Sequence, residues 1–114
     1  MKIILNNIIP FGSFGAINLF GVLFAKPNIR LTDEVINHEE IHTRQMRELL
    51  YLPFYILYVI EWMLRVIKNR GNLLRSYHEI SFEREAYTYG HDLHYLSRRK
   101  PFAQWRAPHH SKVQ

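Results

Sequence analysis

Two histidines four residues apart, with a carboxylate directly after the first, make up the run His38-Glu39-Glu40-Ile41-His42. On a helix, residues i and i+4 share one face, so both imidazoles can occupy corners of a tetrahedral metal site. A glutamate next to the first histidine projects near enough to such a metal to take a proton from water there. These residue types at this spacing suit zinc-assisted hydrolysis. The same five residues could also form a surface helix with two solvated imidazoles, and the neighbouring residues choose between the two.

The neighbours favour a helix with an inward-facing motif. Thr32 can cap its start, Asp33 and Glu34 fall in the first turn where the helix dipole favours anions, and Pro53 should end it near Tyr51. Val35, His38, Ile41 or His42, Met46 and Leu49 recur at helical spacing over 32 to 51, which puts the imidazoles on the apolar stripe. An inward pair of imidazoles must find partners or a metal to offset desolvation. Glu40 and Arg44 point to the wet side.

With 114 residues, 47% hydrophobic and 14% aromatic, the chain has room for one domain with a modest core and is not composed like a disordered segment. Residues 1–100 read as that domain and 101–114 as a basic C-terminal tail. Cysteine is absent, which removes disulfides and thiolate ligands, so a transition metal would be held by His, Asp or Glu. The lack of Cys fits a reducing, cytoplasmic setting. The net charge is +5, with Arg98, Arg99, Lys100, Arg106 and Lys112 crowded at the end. We read these as a solvated terminus, since no zinc-finger, recognition-helix or RNA-reading pattern accompanies them and no specific nucleic acid is implied. Met1 to Leu5 starts like a secretion signal, but Asn6, Asn7 and Pro10 interrupt the apolar run, and it is expected to remain in the protein.

The elements that must position the motif give an α+β reading. Residues 2 to 9 and 16 to 25 read as two short strands, an antiparallel pair with a wide connection through Pro10 to Gly15. From Phe54 to Ile67 the chain is apolar around nearly its whole circumference, and we expect a buried central helix rather than a membrane span, because Pro53, Glu61 and Arg65 interrupt it. Attachment to a membrane surface is the intermediate reading. Asn69 to Asn72 signals a turn, and Leu73 to Ile80 is expected to be extended or irregular. Ser81 is the expected N-cap of a last helix whose stripe is Phe82, Ala86, Tyr89 or Gly90, Leu93 and Leu96.

A catalytic zinc needs a third protein ligand and an open position. Glu61 sits in an aromatic and aliphatic helix with its own packing to do. Glu83 lies in the first turn of the last helix, and Ala86, one turn on, would let that helix come close to the motif. Glu85 should face the other way. His78-Glu79 begins a second such pattern, but Phe82 stands where its second His would be. His91 and His94 fall on the wet side, and His109 and His110 in the tail.

His38-Glu39-x-x-His42 followed by Glu83-x-x-Ala86 resembles the gluzincin metallopeptidases, and the small size is similar to the minigluzincins. The resemblance implies Zn2+ held by His38, His42 and Glu83, with Glu39 as general base, and a peptide or protein substrate. It also implies that the Ile17 to Ala25 run is a cleft edge onto which an extended peptide adds as a strand. Where relatives often carry Asp after the Ala, this chain has Tyr87. Tyr77, His78 and Tyr87 are the candidates for stabilising the transition-state oxyanion. The rival expectation is a catalytically inactive or latent metal-binding interaction module, membrane-associated through the 54 to 67 helix and the basic tail; a homodimer is a separate expectation.

Overall fold

A computed structural model describes residues 1–8 and 15–106. The architecture is α+β: a three-stranded mixed sheet followed by helices. The sheet order is β1 (Lys2–Leu5), β3 (Val22–Ala25), β2 (Ala16–Leu19), so β3 is central.

The 16–25 run holds both strands of the antiparallel pair. It folds back at Phe20 and Gly21, both at positive φ (53° and 89°), as a two-residue hairpin turn requires. The Asn18 side-chain oxygen accepts from the Gly21 N–H at 3.0 Å and closes the turn. The 2–9 run supplies β1 only as far as Leu5; it pairs with β3 and runs parallel to it. Of the expected loop over Pro10 to Gly15, residues 10–14 lie outside the described residues, as does the tail beyond Arg106.

α1 (Asp33–Glu48) begins where the sequence places it, with the Val35 N–H bonded to the Thr32 hydroxyl at 3.2 Å. It ends at Glu48, and Leu50 and Tyr51, both at positive φ, reverse the chain. Pro53 then occupies the first turn of α2 (Leu52–Lys68), where a missing N–H costs no hydrogen bond, and α2 leaves α1 at 110°.

The expectation of a buried α2 is corrected. Phe54 is its one buried residue, and its aliphatic side chains point outward. Among the described residues no single helix is long and apolar enough to cross a membrane. The 73–80 segment is also corrected: α3 (Leu73–Glu79) is helical, started by Gly71 at φ 91° and by Asn72, whose side chain accepts from the Arg75 N–H at 3.0 Å.

α4 (Ser81–Tyr89) is capped from outside. Ser81 already lies in the first turn, and the Glu61 carboxylate of α2 accepts from its N–H at 2.8 Å and its hydroxyl at 2.7 Å. An anion at a helix start also matches the helix dipole. After α4 come α5 (Tyr95–Arg98) and a 3-10 turn, Ala103–Trp105, whose Gln104 is buried.

Two small apolar clusters fill the interior. Met46, Phe54, Ile80 and Phe82 pack where α1, α2 and α4 meet, and Ile41, Ala86 and Tyr95 pack between α1, α4 and α5. Ala86 is fully buried and sets the closeness of α1 to α4. At the far end of α4, the Asn37 amide donates to the carbonyls of Gly90 at 2.8 Å and Asp92 at 2.9 Å, fastening that end to the start of α1.

Ala86→Leu should overpack this contact and lower stability by about 1–3 kcal/mol, read as a shifted midpoint in urea unfolding with unchanged slope.

Candidate metal centre

α1 presents His38 and His42 on one face, and α4 brings Glu83 up to them. The His38 and His42 Nε2 atoms are 3.2 Å apart, and Glu83 Oε1 lies 3.0 Å from the His42 Nε2 and 3.3 Å from the His38 Nε2. Ligand bonds of about 2.0–2.1 Å at tetrahedral angles put neighbouring donors about 3.3 Å apart, so the three atoms match one face of a tetrahedron. They form a group that could hold a metal ion. His42 and Glu83 are buried, while His38 keeps 15% of its side chain exposed and so lies on the open side of the cluster.

Each inner donor is oriented from behind. The second oxygen of Glu83 accepts from the Tyr58 hydroxyl at 2.6 Å, which leaves Oε1 turned to the imidazoles. The Nδ1 of His42 lies 2.8 Å from the Gln45 side-chain oxygen, so Nδ1–H donates there and Nε2 faces the cluster. Gln45 cannot turn over, because its NH2 donates to the Phe82 carbonyl at 3.0 Å and the Glu85 carboxylate at 2.9 Å.

Glu85, two residues after Glu83, faces away from the cluster but is fully buried. It accepts from the Tyr95 hydroxyl at 2.6 Å, from Gln45 and from the Arg99 guanidinium. Arg99 also forks onto Glu48 at 2.9 and 3.1 Å. The expectation of a solvated Arg99 is thus corrected: its side chain is 1% exposed. Burial disfavours its charge, but Glu85 and Glu48 more than offset this and raise its pKa.

The remaining predicted residues fall in three places. Glu39 does not join the donor triad. Its backbone carbonyl accepts from the Asn18 amide at 3.0 Å, which ties β2 to α1, and its carboxylate is close enough to favour protonation of His42. Tyr77, His78 and Tyr87 gather beside His38: the Tyr87 ring packs edge-on against His38 with centroids 4.6 Å apart and against His78 at 4.8 Å, and its hydroxyl is 3.2 Å from that of Tyr77. Burial first, and then Glu83, push the Tyr77 phenol above its ordinary pKa, so it stays protonated at neutral pH. Glu61 caps α4, and His91 and His94 are exposed. His109 and His110 lie outside the described residues.

Sequence reasoning missed Tyr58 and Gln45, which orient Glu83 and His42, and Asn18 and Asn37, which tie β2 and the end of α4 to α1. Gln45 had a signal: it is a polar residue one turn after His42 on the inward stripe, where an amide must have a partner. Tyr58 had none, because aromatic residues fill the whole of that segment.

Burial opposes a charge on His42, yet Glu83 beside it outweighs that effect and raises its pKa from 6.5 to about 9. Glu83 itself is held well below its ordinary 4.5, since the imidazoles overcome the burial that would raise it. In metal-free protein the raised His42 value adds stability that is complete below about 6.5 and lost as pH rises through about 9. The depressed Glu83 value adds stability present above about 4.5 and lost in acid. Unfolding of chelator-treated protein should therefore show stability falling from pH 6.5 to above pH 9, with the slope reduced in His42→Gln. No family model matches the chain, and no curated protein or solved structure matches it.

Proposed function

We propose that this protein is a zinc-dependent peptidase of gluzincin type, similar to the minigluzincins, with His38, His42 and Glu83 as ligands and Glu39 as general base. The observation that carries the reading is the triangle of donors at 3.0, 3.2 and 3.3 Å, already at the spacing of a tetrahedral face. Two imidazoles and one carboxylate oxygen suit zinc, whereas magnesium and calcium favour mostly oxygen shells. Three protein donors also leave a corner for the reaction. Zinc bound there would polarise a scissile carbonyl and lower the pKa of water toward about 7.

The chain's own residues do the rest. Glu39 takes a proton from the attacking water and delivers it to the leaving amine. Tyr58 holds Glu83 in a one-oxygen geometry, and Gln45 holds His42 in the correct tautomer. β2 is an edge strand of the sheet, joined to α1 at Glu39 through Asn18; Tyr55 already donates to the Asn18 carbonyl, so a peptide would add along β2 on the Ala16 side of that bond. Tyr87, packed against His38, and Tyr77, whose hydroxyl lies 3.2 Å from that of Tyr87, would donate to an oxyanion at the open side. Tyr87 also stands where gluzincins often carry Asp; in this chain Tyr58 and Gln45 are the residues that orient the donors.

Glu39→Gln should keep the zinc content of wild type and lose hydrolysis of a peptide library by about 100-fold or more; full activity in that variant would remove Glu39 from its role. Zinc without cleavage in wild type would favour the rival reading, a metal-binding interaction module. Tyr58→Phe should fold normally but bind zinc about 10- to 100-fold more weakly in chelator competition.

A further inference from the structure

α2 is turned inside out. At 100° per residue, Leu52, Ile56, Val59, Ile60, Met63 and Ile67 fall within about 100° of arc, and each is at least 49% exposed. The opposite arc carries the residues with polar tips, and these face the protein. Tyr55 bonds the Asn18 carbonyl, Tyr58 bonds Glu83, Glu61 caps α4, and Trp62 reaches the Leu73 carbonyl. Soluble helices show the reverse arrangement. Contiguous exposed apolar surface of this kind marks a binding face.

We infer that the outer face of α2 seats the protein on an anionic lipid surface. Charge selects this occupant. Lys68 and Arg70, at the end of the apolar arc, are exposed and form no ion pair among the described residues. The nearby carboxylates are engaged first by other groups, Glu61 with Ser81 and Arg65, and Glu79 with Asn69 and Arg75, so that Lys68 acts on Glu79 only at longer range. Among the described residues the face therefore offers two exposed cations and no carboxylate free of hydrogen-bond partners. A second copy would bring the same cations without a carboxylate to meet them, whereas lipid phosphates supply the missing charge and acyl chains take up the aliphatic arc. No single helix among the described residues is long and apolar enough to cross a bilayer, and on this reading α2 would lie along the surface for about 25 Å. Leu73 and Leu74, exposed just past the turn, extend the apolar surface beyond the cations. Tyr58 on the inner arc touches Glu83, so the donor cluster would sit roughly one helix diameter, about 10 Å, from the headgroups.

Vesicle flotation of the full chain tests this without any assay of hydrolysis. Wild type should float with phosphatidylcholine vesicles containing phosphatidylglycerol, and less with phosphatidylcholine alone. The combined substitution Ile56→Ser, Ile60→Ser and Met63→Ser removes outward side chains only; with an unchanged circular dichroism spectrum it should bind at least about 100-fold more weakly. Lys68→Ala with Arg70→Ala should lower binding to the anionic vesicles by roughly 30-fold and leave binding to neutral ones unchanged. Equal binding of wild type to both vesicle types overturns the anionic assignment. Failure to float, or flotation that the triple substitution leaves intact, overturns the lipid seat. A dimer in sedimentation velocity that the triple substitution dissolves, with no flotation of wild type, would give the face to a second copy.

Discussion

Two carboxylates enter the interior two residues apart on one short helix, and the surrounding structure is arranged to compensate them. Glu83 and Glu85 lie on nearly opposite sides of α4, and each is 4% exposed or less. An isolated buried carboxylate costs several kcal/mol or takes up a proton. Glu83 is matched by two imidazoles and the Tyr58 hydroxyl, Glu85 by Arg99, Tyr95 and Gln45. Gln45 touches both halves, since its oxygen holds His42 and its NH2 holds Glu85. The separation of α1 and α4 is therefore set by two charge matches together with the small side chain of Ala86, and a shift that served one match would strain the other.

This explains which parts could be read from the sequence. Thr32, Asp33 and Glu34 announce the start of α1 through strictly local chemistry, and the inward stripe places His38 and His42 on one face. Glu83 could be chosen over Glu85 because a helix turns two neighbouring-but-one side chains apart, and Ala86 hinted at a close approach. What stayed hidden depends on partners distant in the chain. Arg99 resembles its basic neighbours until Glu48 and Glu85 meet it. Glu61 looks like an interruption in an apolar helix until the start of α4 docks on it.

Other misreadings were local ones. The turn in the 16–25 run places Phe20 at positive φ, a conformation its side chain disfavours, so Gly21 was the sole turn signal in an otherwise strand-like segment. The seven residues of α3 are too few for a helical period to stand out, and Asn72 as its cap was the better clue. For α2, a helix apolar around most of its circumference reads as buried by the ordinary rule. That rule assumes an interior with apolar demands, and the interior here is different: among the described residues eleven buried residues are polar or charged and nine are hydrophobic.

The inversion of α2 follows from that interior. A donor cluster in a chain of this size leaves few elements to surround it, and α2 must present hydroxyl and carboxylate groups inward to satisfy Glu83, the start of α4 and the edge of the sheet. Eight of its remaining aliphatic residues are then left on the outside. Burying them instead would turn Tyr58 and Glu61 to solvent, stripping Glu83 of a hydrogen bond and α4 of its cap. The loss from exposed apolar surface is spread over many side chains and can be relieved by an external apolar phase, whereas a buried carboxylate without its donor has no such remedy. The polar requirement of the centre thus fixes which way α2 faces, and the apolar outer surface is its consequence.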